Sequence, residues 1–258
     1  MSVFEKYARY YHLLYRDKDY AGEVKFVHHL LQSQAPTTRS LLELGCGTGA
    51  HAVLLAREGY EVHGIDQSAE MLEQAQQRIL NLSPAHKSKL QFSQGDIRTV
   101  RLQRKFDAVI SLFHVFSYQV TNEDLQSAFA TAKAHLQPGG ILIFDCWYGP
   151  AVLTERPTIR VKRLEDEDII VTRIAQPKMH ANDNVVDVNY QVFIKKIDTN
   201  CFEELQEIHR MRYLFKPEVE YFLSQNQMIL NQWGEWMTGK EPGFDTWSVY
   251  FLASLQIE

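Results

Sequence analysis

A glycine-rich turn between an apolar stretch and a helix-like stretch constrains the fold of this chain most. Glycine occupies every second position at the end of the run Leu41-Leu42-Glu43-Leu44-Gly45-Cys46-Gly47-Thr48-Gly49, and a helical pattern follows from about 51 to 58. Glycine lets the backbone adopt left-handed angles and lets a ligand approach the peptide planes closely. The free N–H groups that begin the following helix favour an anionic group. The turn therefore predicts a binding site for a ligand with a negatively charged end.

Amino-acid composition and net charge indicate which class of molecule the chain binds. The chain has 258 residues, of which 45% are hydrophobic and 23% charged, enough for one large domain or one domain with an insertion. The formal net charge is -5, and no run of Lys and Arg is present. We therefore expect a small-molecule substrate and no nucleic acid partner.

Cysteine spacing and the absence of long apolar runs indicate in which cellular compartment the protein is found. Cys46, Cys146 and Cys201 are widely spaced and include no C-x-x-C pair, which argues against a disulfide framework and against a zinc site. No apolar stretch approaches the roughly 20 residues that a membrane span needs, and the N-terminus lacks the pattern of a secretory signal. We expect a cytoplasmic protein with no membrane partner and no metal. The sequence leaves the oligomeric state open between a monomer and a homodimer.

Strand-like and helix-like patterns alternate through the first part of the chain. The predicted order is helix 20–34, strand 40–45, helix 49–58, strand 61–65, helix 69–80, strands 90–93 and 106–112, helix 122–136 and strand 141–146. Such alternation is typical of an α/β fold, a parallel sheet with helices on both faces.

The pattern changes after Tyr148. Segments 159–164, 168–175, 184–196 and 201–215 are predicted as consecutive strands, followed by a helix from about 217 to 225 and strands 228–236 and 246–254. We therefore expect residues 1–150 and 216–258 to form the α/β domain. Residues 151–215 should form an inserted antiparallel β-sheet.

Aromatic residues dominate the N-terminal segment. Phe4, Tyr7, Tyr11 and Tyr15 recur at three- and four-residue steps, which places them on one face of a helix. Two interpretations stay open. The stripe could pack on the core, or the segment could form a lid over a ligand, with hydroxyls from Tyr11, Tyr15 and Tyr20 in the site.

Acidic residues follow two of the predicted parallel strands. Asp66 ends the second strand, where a carboxylate can accept hydrogen bonds from ribose hydroxyls. Asp96 follows the third strand in Gln94-Gly95-Asp96-Ile97. The alternatives are a helix N-terminal anion for Asp66 and a turn residue for Asp96. Asp107 begins its strand, so we interpret it as structural.

The chain resembles the class I S-adenosylmethionine-dependent methyltransferases in four motifs. These are Glu43 before the glycine turn, the G-x-G-x-G spacing, the acidic residues Asp66 and Asp96 after two strands, and the strand that ends at Leu112. The resemblance implies a Rossmann-like sheet and S-adenosyl-L-methionine as cofactor. It implies that Asp96 and Ile97 hold the adenine, and that Glu43, Gly45 and Leu112 surround the methionine portion. The full set of cofactor-binding residues that we infer is Tyr11, Tyr20, Glu43, Gly45, Cys46, Gly47, Asp66, Gln67, Met71, Asp96, Ile97 and Leu112. Cys46 has the alternative of a small buried filler.

The substrate half resembles the N-methyltransferases that dimethylate amino groups on nucleotide-linked deoxysugars. The matching stretches are Asp19-Tyr20, 112–118, Asp145-Cys146-Trp147-Tyr148 and Glu207-Ile208-His209-Arg210. The histidine proposed as base in that family aligns with Tyr118, and His114 lies four residues earlier, so both are candidate catalytic residues. From residue type we expect His114 to contribute more. The expected acceptor-site residues are Tyr15, Trp147, Tyr148, His209 and Arg210.

Two interpretations of Arg210 and two alternative functions of the whole protein stay open. Arg210 could pair with a diphosphate or form a salt bridge with Glu207 or a neighbour. The enzyme could methylate nitrogen or oxygen in another small metabolite. A cofactor-binding protein without catalysis would bind S-adenosylmethionine and release no S-adenosylhomocysteine.

Overall fold

The computed structural model describes residues 10, 11 and 13–256. In chain order the elements are α1 (Tyr20–Gln34), β1 (Ser40–Leu44), α2 (Ala50–Arg57), β2 (Glu61–Asp66), α3 (Ala69–Leu80), α4 (Pro84–Lys87), β3 (Leu90–Gln94), β4 (Phe106–Ser111), a 3-10 helix (Val115–Tyr118), α5 (Asn122–His135), β5 (Leu136–Tyr148), α6 (Gly149–Thr154), β6 (Arg160–Glu165), β7 (Ile169–His180), a 3-10 turn (Ala181–Asp183), β8 (Val185–Lys196), β9 (Phe202–Leu214), α7 (Lys216–Gln225), β10 (Met228–Glu235) and β11 (Ser248–Leu255).

The central sheet is parallel in the order β3-β2-β1-β4-β5. Strand β11 is antiparallel beside β5, and β10 is antiparallel beside β11. The predicted α/β fold with a Rossmann-like parallel sheet is confirmed.

Helices cover both faces of this sheet because its strands are apolar on both sides. In β1, Leu41 packs in one buried cluster with Val27 and Leu31 of α1, whereas Leu42 packs in another with Phe129 of α5. Successive side chains of a strand point to opposite faces. A strand buried on both faces must therefore be almost wholly apolar, as the sequence around Leu41 is.

Side-chain caps fix the start of three helices. The Asp19 Oδ1 atom accepts a hydrogen bond from the Gly22 backbone N–H at 2.8 Å, and the Ser68 hydroxyl accepts one from Met71 at 3.2 Å. The Thr121 hydroxyl accepts one from Asp124 at 3.0 Å. These bonds satisfy N–H groups that have no partner inside the helix, so each helix begins where such a residue precedes it.

Strands β6 to β9 form a continuous antiparallel sheet. This sheet joins the central one where Tyr213 and Leu214 of β9 pair with Trp147 and Tyr148 of β5. The pairing between β4 and β5 ends at Ser111 with Phe144, so β9 continues along the edge that β4 leaves. The antiparallel sheet therefore lies at the carboxyl end of the parallel strands.

Some elements differ from the sequence prediction. β5 begins at Leu136 rather than at 141, because Leu136 pairs with Phe106 ahead of an irregularity in the ladder. Helices α4 and α6 and the two 3-10 segments have too few residues to show a period, and they were not predicted. Phe4 and Tyr7 of the predicted aromatic helix lie outside the described residues. In the part of the chain that the structure describes, no helix has both the length and the apolar character needed to cross a membrane.

Candidate active site

A cavity of about 760 Å³ lies at the carboxyl ends of the parallel strands. Its walls come from the glycine turn, the segments that follow β2, β3 and β4, the N-terminal segment, and strands β8 and β9. The predicted site residues that line it are Tyr11, Tyr15, Tyr20, Gly45, Cys46, Gly47, Asp66, Gln67, Met71, Asp96, Ile97, Leu112, His114, Tyr118, Trp147, His209 and Arg210. Glu43 and Tyr148 do not line it.

The glycine turn is held against β2 and opens toward the cavity. The backbone N–H groups of Gly45 and Cys46 both donate to the Ile65 carbonyl, at 2.8 and 2.9 Å. Gly45 and Gly47 have φ angles of 76° and 52°. A Cβ atom on Gly45 would lie 2.6 Å from the Val115 methyl groups, whereas one on Gly47 would meet nothing within 4 Å. The peptide of Gly47 is therefore open to a ligand in the cavity.

Asp66 links the tip of β2 to this turn. Its carboxylate accepts hydrogen bonds from the backbone N–H groups of Gly47 at 2.8 Å and Ser68 at 2.9 Å. Burial raises the pKa of Asp66, and these backbone donors act in the opposite direction. A carboxylate oxygen has more than one acceptor site, so Asp66 keeps the capacity to accept from ligand hydroxyls.

Asp96 is oriented by an arginine that the sequence analysis missed. Arg98 donates to both carboxylate oxygens of Asp96, and its other terminal nitrogen lies 2.8 Å from Asp124. These hydrogen bonds lower the pKa of Asp96. Arg98 therefore ties the loop after β3 to the start of α5, and both Asp96 and Arg98 line the cavity.

Glu43 is the one predicted cofactor residue that does not line the cavity, and its side chain is 1% exposed. One carboxyl oxygen lies 3.6 Å from the His51 Nδ1 atom, and within the described residues the other is buried without a hydrogen-bond partner. Burial, together with the nearby charge of Asp66, raises the pKa of Glu43 to about 8.

A buried ion cluster lies next to Glu43. The Glu23 carboxylate pairs with Lys18, lies 2.7 Å from the His51 Nε2 atom and accepts a hydrogen bond from the Trp236 indole at 3.2 Å. Burial acts to raise the pKa of Glu23, but the hydrogen bonds and charges of His51 and Lys18 lower it to about 2. Sequence reasoning missed this cluster because its members are far apart in the chain and match no motif.

The loop after β4 presents His114 in a strained conformation. Phe113 and His114 have φ angles of 67° and 63°, which non-glycine residues seldom adopt. The carboxylate of Asp145, 1% exposed, accepts the His114 backbone N–H at 3.0 Å. The His114 Nδ1 atom lies 2.8 Å from the same carboxylate, within ion-pair distance but without hydrogen-bond alignment. Asp145 therefore holds both the backbone and the ring of His114 at the cavity wall.

Tyr118 and His209 meet at the junction of the two sheets. The Tyr118 hydroxyl lies 2.8 Å from the His209 Nδ1 atom, and the His209 Nε2 atom lies 3.3 Å from Glu207. The other carboxylate oxygen of Glu207 accepts a hydrogen bond from the Tyr10 hydroxyl at 2.8 Å. This series joins the loop after β4, strand β9 and the N-terminal segment.

Aromatic rings and one arginine form the remaining wall. The Tyr15 ring lies 4.7 Å from the Tyr11 ring and 5.0 Å from the Phe113 ring, between centroids. Arg210 donates to Asp187 at 2.9 Å, so its partner is Asp187 and not Glu207, and its side chain is 54% exposed. Strands β8 and β9 add Val188, Tyr190, Ile208 and Met211, which no sequence motif indicated.

Tyr148 was predicted in the acceptor site, and the structure places it elsewhere. Trp147 lines the cavity, and the next residue of a strand points to the opposite face. The Tyr148 ring accordingly lies 6.0 Å from the Trp233 ring, beside the core cluster on that face.

Comparison with known proteins identifies the family. Residues 41–140 match the family model described as a methyltransferase domain. Over 188 residues the chain is 31% identical to dTDP-3-amino-3,4,6-trideoxy-alpha-D-glucopyranose N,N-dimethyltransferase of Streptomyces venezuelae, covering 72% of this chain and 76% of the relative. The chain belongs to the S-adenosylmethionine-dependent methyltransferases. The predicted enzyme class and cofactor are confirmed.

Solved structures agree with this assignment. The methyltransferase superposes on Streptomyces venezuelae DesVI with a TM-score of 0.78 at 25% identity, covering 97% of this chain and 98% of that chain. An S-adenosylmethionine-dependent methyltransferase from Clostridium acetobutylicum has the same fold, with a TM-score of 0.78 at 22% identity and the same two coverages.

The lining of the cavity fits the cofactor. The open peptide of Gly47 and the Asp66 carboxylate could take the methionine portion and the ribose. Glu43, directly before this turn in the chain, has a buried carboxyl oxygen with no hydrogen-bond partner among the described residues. In the described ranges, no group of three or more His, Cys, Asp or Glu side chains is arranged to hold a metal ion.

Proposed function

We propose that this methyltransferase acts on the amino group of a nucleotide-linked amino sugar. The observation that carries the proposal is the continuity of the cavity, which extends from the glycine turn to strands β8 and β9. A relative that is 31% identical over 188 residues is named for an amino sugar linked to a thymidine diphosphate. The length of the cavity leaves room for an acceptor beyond the cofactor-binding residues.

The wall chemistry supports a sugar with an attached diphosphate. Trp147, Tyr15 and Tyr190 offer flat apolar faces of the kind on which a pyranose or a base packs. Arg210 combines high exposure with a position on the wall, so its planar guanidinium could meet phosphate oxygens while it keeps Asp187 as a neighbour. We assign Arg210 to the diphosphate.

We further propose that residues 151–215 serve as an acceptor-binding subdomain, and that residues 1–150 and 216–258 bind the cofactor.

The cysteines Cys46, Cys146 and Cys201 are free, the first two buried and the third exposed. Free cysteines suit a reducing compartment, so we place the reaction in the cytoplasm.

Catalysis then depends mainly on positioning. S-adenosylmethionine supplies an electrophilic methyl group when bound. The chain's own residues must hold an uncharged amine in line with that group, and well-oriented reactions of this kind reach effective molarities on the order of 10⁵ M. His114, in the loop after β4, and Tyr118, in the 3-10 helix that follows, both line the cavity. Either can orient the amine by a hydrogen bond.

The test is an acceptor panel. Purified enzyme with S-adenosylmethionine would be assayed for S-adenosylhomocysteine release with thymidine-diphosphate amino sugars, the same amino sugars without nucleotide, and matched 3- and 4-hydroxy sugars. We expect turnover with the nucleotide-linked amines. Turnover confined to hydroxyl acceptors, or to amines that lack a nucleotide, would contradict the proposal, and no turnover with any acceptor would favour a non-catalytic binding protein.

A further inference from the structure

A hydrogen-bonded series leads from the cavity into the inserted sheet. It begins at the hydroxyl of Tyr118, which lines the cavity, continues to the His209 ring at 2.8 Å, and reaches the Glu207 carboxylate at 3.3 Å. His209 is 3% exposed and Glu207 is 8% exposed. A buried acidic side chain behind a histidine is the arrangement by which proteins orient an imidazole and stabilise its charged form.

We infer that Tyr118 and His209 form the route by which the acceptor ammonium loses its proton, with Glu207 as the residue that positions His209. The inference rests on the proposed function in one respect, because it requires an amine as acceptor. Tyr118 is the group that touches the acceptor. His209 and Glu207 act through it.

The partners of His209 assign its tautomer. An ionised Glu207 carboxylate has no hydrogen to donate, so it accepts one from the His209 Nε2 atom. The Nδ1 atom of the same ring then accepts from the Tyr118 hydroxyl. A tyrosine hydroxyl can accept as well as donate, so the Tyr118 oxygen can accept from an N–H group in the cavity. Burial, followed by the proximity of Tyr15, raises the pKa of Tyr118 well above its ordinary value. Tyr118 therefore passes a proton on and does not store the phenolate charge.

The step balances in protons and charge. The N–H bond of the acceptor ammonium breaks, and its electron pair stays on nitrogen. That proton joins the Tyr118 oxygen while the original hydroxyl proton moves to the His209 Nδ1 atom. The imidazolium that forms lies beside the Glu207 carboxylate, so the added charge is compensated. His209 returns the proton to solvent by the same route after the product leaves.

This assignment differs from the expectation that His114 contributes more. Residue type alone suggested His114, since the sequence could not show that Tyr118 has a histidine behind it. The Nδ1 atom of His114 lies near Asp145 without hydrogen-bond alignment, whereas both ring nitrogens of His209 have partners at 2.8 and 3.3 Å. The Tyr118 side therefore has the more ordered proton path. The other ionisable groups around this path are Tyr10, Tyr11, Tyr15, Tyr190 and Arg173.

The first experiment measures the pH dependence of kcat for wild type, Tyr118→Phe, His209→Gln and Glu207→Gln with a primary amine acceptor. Below the pKa of the acceptor amine, we expect each variant to lose about 10–100-fold, in the range of general acid–base effects. Above that pKa the amine is already neutral, so the loss should shrink to about threefold. Glu207→Asp should recover part of the low-pH rate. An equal loss at every pH would show a merely structural role and overturn the inference.

Two control variants match the chemistry of the changes. Tyr213→Phe removes a hydroxyl that bonds the Ala181 carbonyl in the inserted sheet, and His63→Gln replaces a buried histidine bonded to Ser93. Neither residue lines the cavity. Both controls should keep the wild-type pH profile.

The second experiment reads the tautomer directly by nitrogen-15 NMR of the His209 ring in protein without acceptor. We expect a hydrogen on Nε2 and an unprotonated Nδ1 whose resonance shifts in Tyr118→Phe. A hydrogen on Nδ1 together with normal amine methylation would overturn the relay and leave the proposed function intact. If wild type methylates no amine, the proposed function fails and the inference fails with it, while the NMR result still shows whether the hydrogen-bonded series exists.

Discussion

Glu43 is a carboxyl group whose chemistry depends on what binds beside it. Burial and the charge of Asp66 raise the pKa of Glu43 to about 8, so near pH 7 the folded protein without ligand holds it protonated. The unfolded chain ionises it near its ordinary pKa of about 4.3. Its contribution to the free energy of unfolding is therefore fully present below about pH 4.3 and is lost as the pH rises through 8.

A cationic ligand group at Glu43 should reverse this preference. We expect the ammonium of S-adenosylhomocysteine to favour the ionised carboxylate, so that binding near pH 7 releases up to one proton and affinity rises between about pH 5 and 8. Calorimetry in buffers of different ionisation enthalpy measures the release. In Glu43→Gln the release should disappear. Any release that remains in that variant belongs to the amine of the ligand, and an unchanged release would mean that Glu43 does not sense the ligand.

Asp66 offers a second test at the level of one side chain. Removal of the carboxylate in Asp66→Ala should remove two charge-assisted hydrogen bonds to ribose hydroxyls, each worth about 1.5–3 kcal/mol. S-adenosylhomocysteine affinity should therefore fall at least tenfold, which corresponds to about 1.4 kcal/mol. Titration calorimetry gives the dissociation constant. Glu73→Ala removes an exposed acid from the adjacent helix α3 and should leave it unchanged.

Asp66 also bonds Gly47 and Ser68, so thermal unfolding of the ligand-free Asp66→Ala variant must accompany the titration. A dissociation constant equal to that of wild type would falsify the ribose assignment.

For single residues, the sequence was sufficient to predict a role where that role depends on the position of the residue in a strand. Asp107 was interpreted as structural, and it accepts hydrogen bonds from the backbone of Arg39 and Ser40 at 2.9 and 2.8 Å. The pairings of Asp145 with His114 and of Glu207 with Tyr10 escaped prediction. Their partners are 31 and 197 residues apart in the chain, and only the folded topology brings them together.

At the element scale, strand β9 allows a test of the proposed division between cofactor and acceptor binding. Arg210 lies on β9, outside the parallel sheet, with Asp187 of β8 as its partner. We expect Arg210→Ala to raise the KM for a nucleotide-linked acceptor about tenfold or more, because a charge-assisted contact to phosphate is lost. S-adenosylhomocysteine affinity should stay within about twofold of wild type.

Arg160→Ala provides the matched control, since Arg160 is an exposed arginine on β6 of the same sheet and does not line the cavity. It should change neither constant. If Arg210→Ala weakened the cofactor as much as the acceptor, the division of labour between the two sheets would be wrong.

Most elements were predictable because their patterns are local. The alternation of apolar runs with turn residues located β1, β2, α3 and β4 to within a residue or so. Strand β5 was predicted too short because Pro138-Gly139-Gly140 has the composition of a turn. In the structure, Leu136 pairs with Phe106 before that segment, and a tertiary contact overrides the local preference.

On the scale of the whole molecule, the two sheets share their junction with the cavity. Strand β5 holds Asp145 behind His114 and pairs through Trp147 with β9, which carries His209. A ligand that contacts both the glycine turn and the N-terminal segment should therefore stabilise the whole fold. A ligand that binds the folded state and not the unfolded chain raises the free energy of unfolding.

The stabilisation by a bound ligand depends on its concentration relative to its dissociation constant. At a concentration of S-adenosylhomocysteine about 100 times its dissociation constant, the free energy of unfolding should rise by about 2.7 kcal/mol. For a chain of this length each kcal/mol moves Tm by roughly 2–4 °C, so Tm should rise by about 5–10 °C. NAD at the same concentration should leave Tm unchanged, because the G-x-G-x-G turn differs from the dinucleotide-binding spacing. Differential scanning fluorimetry with both ligands decides the matter, and equal shifts would show that the cavity recognises only the adenosine that the two ligands share.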